Sequence, residues 1–144
     1  MKYRIDDTLQ NLIDWPKIML MPRYAGGHDE QMQGLIAGAT VIAHWNEGDW
    51  QGSVATFIKL PDGRFAIYND YYGSCSGCDS WKDATDEDVR TMCINLANGA
   101  YVFTAIEDVI EFLSTPPTDD DGYSWSFGVK SGLLNTIQHS HEES

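Results

Sequence analysis

Ser53-Val54-Ala55-Thr56-Phe57-Ile58-Lys59-Leu60-Pro61-Asp62-Gly63-Arg64-Phe65-Ala66-Ile67-Tyr68-Asn69-Asp70 is the stretch that decides the fold. Two β-type runs, Ser53 to Leu60 and Arg64 to Asp70, flank Pro61-Asp62-Gly63. Proline presets φ for a turn and glycine supplies a positive φ, so the two runs read as an antiparallel hairpin. Phe65 and Ile67 alternate with Ala66 and Tyr68, which predicts one buried face.

The flanking sequence supplies helices and further strands. Asp6 or Asp7 can cap a short helix carrying Leu9, Leu12 and Ile13, with Pro16 as its stop. Thr40 to Trp45 is β-rich and reads as a strand, with Asn46-Glu47-Gly48-Asp49 as its turn. Residues 29–38 are ambiguous, because the helical spacing of Met32, Leu35 and Ile36 competes with Gly34 and Gly38. The clearest helix is 86–98: Thr85 is its N-cap, Asp88 its capping-box acid, and Val89, Met92, Cys93, Leu96 and Ala97 its apolar stripe.

After a strand at Ala100 to Phe103, Thr104 caps a second helix with Ile106, Val109, Ile110 and Leu113 on one side. Pro116-Pro117 ends it. Tyr123, Trp125, Phe127 and Val129 alternate with Ser124, Ser126, Gly128 and Lys130 and predict a last strand, with residues 138–144 as a frayed tail. These elements add up to an α+β fold. It is a mainly antiparallel sheet of about 4–5 strands with two or three helices packed on one side. At 144 residues, without an internal repeat or a dividing linker, the chain reads as one domain, residues 1–144.

Charge sets the range of partners. The net charge is -13, and residues 83–121 hold ten acids against one base, Arg90. The acids are Asp83, Asp86, Glu87, Asp88, Glu107, Asp108, Glu111, Asp119, Asp120 and Asp121. Phosphate binding needs clustered Lys and Arg, so this block argues against direct binding of nucleic acid. It suits the basic surface of another protein, or it serves as a solvated face that maintains solubility. No apolar run approaches the ~18 residues of a membrane span, and Met1 to Asp7 lacks a secretory apolar core, so a cytoplasmic protein without a membrane partner is expected.

Tyr72-Gly73-Ser74-Cys75-Ser76-Gly77-Cys78-Asp79 follows the hairpin. Cys75 and Cys78 have the spacing of half a tetrahedral zinc site, but a second pair is missing; Cys93 with His44 or His28 would have to complete it. Redox exchange is a second reading, disfavoured by Asp79, Asp83 and Asp86 nearby. A compact structural turn is the third and simplest, and no cofactor is then required. Trp45, Trp50, Tyr71, Tyr72 and Trp81 cluster around the hairpin in sequence, as core residues or as an interface patch.

Residues 50–82, with the Pro61-Asp62-Gly63-Arg64 hairpin and the cysteine turn, resemble a family of small proteins found in bacteriophages and their hosts, as does the strand–helix pattern of 103–113. The resemblance implies a phage or mobile-element origin and carries no activity with it. The leading expectation is therefore a non-catalytic acidic binding protein of phage origin. It would occupy the basic, nucleic-acid-binding surface of a host defence protein, in the manner of anti-CRISPR or anti-restriction inhibitors. The alternatives are a small zinc- or thiol-dependent module on Cys75 and Cys78, and a structural homo-oligomer, such as a homodimer, formed through the aromatic cluster.

Overall fold

The computed structural model describes residues 3–21, 28–48, 52–72, 85–118 and 125–143, with the backbone alone at 28–29, 71–72 and 140–143. Strands β1 (Arg4–Ile5), β2 (Thr40–Asn46), β3 (Gly52–Lys59), β4 (Phe65–Tyr72) and β5 (Tyr101–Phe103) form one antiparallel sheet in the order β1-β5-β4-β3-β2. The central hairpin is the one the sequence predicts. Gly63 takes a φ of 94°, its amide donates to the Leu60 carbonyl at 2.9 Å, and the Leu60 amide donates to the Arg64 carbonyl at 2.7 Å. The Asp62 carboxylate accepts from the Arg64 amide at 3.0 Å and tightens the turn.

Both faces of this sheet are buried, so the expectation of helices on one side is corrected. Side chains alternate across a strand. Val54 and Ile58 of β3, Ala66 and Tyr68 of β4 and Val102 of β5 therefore belong to one core. Ala55 and Phe57, Ile67 and Phe103 belong to another on the opposite face. The first core is covered by a 3-10 helix (Asp7–Leu12), by α1 (Trp15–Leu20) and α2 (His28–Gln33), and by α3 (Asp86–Gly99). The second is covered by α4 (Ile106–Ser114) and α5 (Phe127–Glu143). The architecture is α+β, in three layers.

The largest departure from expectation is α5. Trp125 does not lie in a strand: it precedes the helix, and from Phe127 onward the chain is helical to Glu143. Trp125, Val129, Leu133 and Ile137 recur every four residues and are all buried, while Phe127, a core residue in the strand reading, is 73% exposed. The Ser126 hydroxyl accepts from the Val129 amide at 3.4 Å at the helix start.

Two smaller boundaries also move. Pro16 does not merely stop a helix; it sits in the first turn of α1, where its missing N–H is harmless. Asp14 is the N-cap there, its carboxylate accepting from the Lys17 amide at 3.3 Å. The residue before α4 is Ala105, not Thr104, and it makes no side-chain cap. By contrast, α3 starts as predicted. The Thr85 hydroxyl accepts from the Asp88 amide, and the Asp88 carboxylate from the Thr85 amide, each at 3.1 Å.

The N-terminal 3-10 helix is tied to the hairpin by charge. Asp6 caps it, accepting from the Thr8 amide at 3.0 Å, and its other carboxylate oxygen accepts from Arg64 Nη1 at 3.0 Å. The Thr8 hydroxyl, the Thr8 amide and then Arg64 hold the Asp6 carboxyl down at about 2. A depressed carboxyl contributes stability that is fully present above its unfolded value of about 4 and is lost as pH falls toward the folded one. Asp6→Asn keeps a capping oxygen but loses the charge that pairs with Arg64, and is expected to lower stability by up to about 1 kcal/mol at pH 7, the upper end for a solvent-accessible ion pair. The difference from the parent chain should shrink between about pH 4 and pH 2 in urea titrations. A difference that stayed constant across that window would contradict this role.

Candidate functional site

The acids of the 83–121 block were read as one face, and the fold divides them. Asp86, Glu87 and Asp88 form the first turn of α3 and are all exposed. Glu107 and Asp108 open α4, with Glu111 one turn on; Glu107 and Glu111 are exposed and Asp108 is half-buried. The inward stripe of α3 (Val89, Cys93, Leu96, Ala97) packs into the first core, and that of α4 (Val109, Leu113) into the second. The two acidic turns therefore lie in opposite outer layers, with the sheet between them. Asp83, Asp119, Asp120 and Asp121 lie outside the described residues.

Local electrostatics explain why both groups sit where they do. Carboxylates at a helix N-terminus face its positive dipole end, each gaining roughly 0.3–1 kcal/mol when exposed. The α3 turn is also fixed in shape. Asp88 is committed to the capping box, so the turn that carries Asp86 and Glu87 is held by two reciprocal hydrogen bonds. A rigid helix start displays charge at a defined spacing, which a floppy acidic tail does not.

Of the five aromatic residues, Trp45 is the one whose side chain is described. Its indole lies against the α5 backbone at Gly132, so close that a Cβ added to Gly132 would come within 2.2 Å of the ring. Trp45 is therefore a packing residue that seats α5 on β2. Tyr71 and Tyr72 end β4, and Trp50 and Trp81 lie outside the described residues.

The cysteine turn, Cys75 and Cys78, also lies outside the described residues. The other thiol proposed to complete a zinc site is accounted for. Cys93 is fully buried on the α3 stripe, its Sγ accepts from Gln31 Nε2 at 3.1 Å, and burial pushes the thiol pKa up. That environment favours a neutral thiol over the thiolate a metal needs. His44 Nδ1 is 2.8 Å from the Thr56 hydroxyl across the β2–β3 pair. Among the described residues no three His, Cys, Asp or Glu side chains converge as a metal site. No described helix is long and apolar enough to cross a membrane.

Two buried polar arrangements had no counterpart in the sequence reading. Gln31 and Met32 pin α2 from both sides. Gln31 donates to Cys93 of α3, and the Tyr68 hydroxyl of β4 donates to the Met32 carbonyl. Lys130, placed on the outer face of a strand by alternation, is 3% exposed. Its ammonium donates to the Thr115 carbonyl at 3.1 Å and stands 4.1 Å above the Phe112 ring. It thus brings a cation to the C-terminal end of α4, which has no basic residue in its own last turn. A five-residue window gives no hint of this; the contact joins Lys130 of α5 to the C-cap of α4, fifteen residues earlier in the chain.

No protein-family model matches this chain, and neither a curated protein nor a solved structure matches it significantly.

Proposed function

We propose that this chain is a non-catalytic acidic binding protein that engages a basic protein surface through the first turn of α3. One observation carries the reading: Asp86, Glu87 and Asp88 are exposed together on a helix start locked by a capping box. The net charge of -13 surrounds that turn with a field that attracts a basic partner from a distance and speeds encounter. In its finer form the proposal is a phage-encoded inhibitor working in the host cytoplasm. The partner is a host nucleic-acid-binding protein, and the α3 acids take the place of phosphates on its surface. The α4 acids lie in the opposite outer layer, and in this reading they contribute through the long-range field.

The test is capture from host lysate on immobilised protein. Screening shortens from ~10 Å in 0.1 M salt to ~3 Å in 1 M. A nucleic-acid-binding protein should be retained at the lower salt, released at the higher, and displaced by duplex DNA or RNA. Retention that is unchanged across that range, or indifferent to nucleic acid, would count against phosphate mimicry.

A further inference from the structure

We draw no further inference here: the strongest candidate, the uncharged outer edge of β2 over Thr40–Asn46 at the end of the sheet, carries none because nothing in the structure shows what covers it.

Discussion

Replacing Phe57 by alanine should cost about 3–5 kcal/mol, and replacing its neighbour Ile58 by alanine about 2–5 kcal/mol. Phe57 is 0% exposed and Ile58 1% exposed, yet adjacent strand residues point to opposite faces. Phe57 lies across from Ala43 and Ile67 in register, and its ring centroid is 5.8 Å from that of Phe65. Ile58 lies across from Val41 and Ala66, beneath the first group of helices. A sheet covered on one side would make one of the two substitutions nearly silent, within about 0.5 kcal/mol. Because total stability is typically about 5–15 kcal/mol, either alanine variant can fail to fold. Phe57→Leu and Ile58→Val should then still fold, with losses of about 1 kcal/mol each in urea denaturation. Silence at either position would contradict the two-core arrangement.

Gly132→Ala should destabilise the protein by about 1–3 kcal/mol, against the usual direction for a helix. In an open helix interior, glycine to alanine gains up to about 1 kcal/mol. At Gly132 the new methyl would collide with the Trp45 ring, which has no flexible end to swing away. The decisive comparison is in the background of Trp45→Ala. Removing the indole opens the space, so Gly132→Ala should there become neutral or stabilising. The double-mutant cycle then gives a coupling of at least about 1 kcal/mol. A stabilising Gly132→Ala in the parent chain would remove the contact that seats α5 on β2.

Much of this fold was legible wherever a local chemical rule set the structure. The Pro61-Asp62-Gly63 turn and the Thr85/Asp88 box depend on neighbours in sequence, and both appear in place. The second covered face was less legible. Val54 to Ile58 is buried without interruption, and such a run, unlike alternation, marks a strand covered on both sides. The alternation of Phe65 and Ile67 with Ala66 and Tyr68 led the other way because alanine and tyrosine count as weakly apolar, although Ala66 and Tyr68 are both buried. In the 123–130 segment two periods coexist. Tyr123, Trp125, Phe127 and Val129 fit a strand, and Trp125, Val129, Leu133 and Ile137 fit a helix. Gly128 lowers the helix propensity inside the short window, which therefore favours the strand, and only a longer one contains the stripe that is buried.

The site was legible as charge and not as shape. Composition located the acids, but whether they share a surface depends on which face each helix covers. That follows from the crossing from α3 through β5 to α4, which carries the chain from one side of the sheet to the other. The same crossing puts the α4 acids in a different layer from the proposed α3 surface. It also fixes which substitutions separate contact from field. Asp86→Asn with Glu87→Gln removes exposed charge while leaving the Asp88 cap intact, and Glu107→Gln with Glu111→Gln removes equal charge from the opposite layer.

The most direct measurement is the association rate of these two double variants with the captured basic partner at 0.1 M salt. Melting curves of both variants would establish that they are folded. The account predicts a loss of about tenfold or more for the α3 pair, and a smaller loss for the α4 pair that disappears at high salt. A folded α3 variant that associates as fast as the parent chain, or equal losses for the two pairs at every salt concentration, would contradict it.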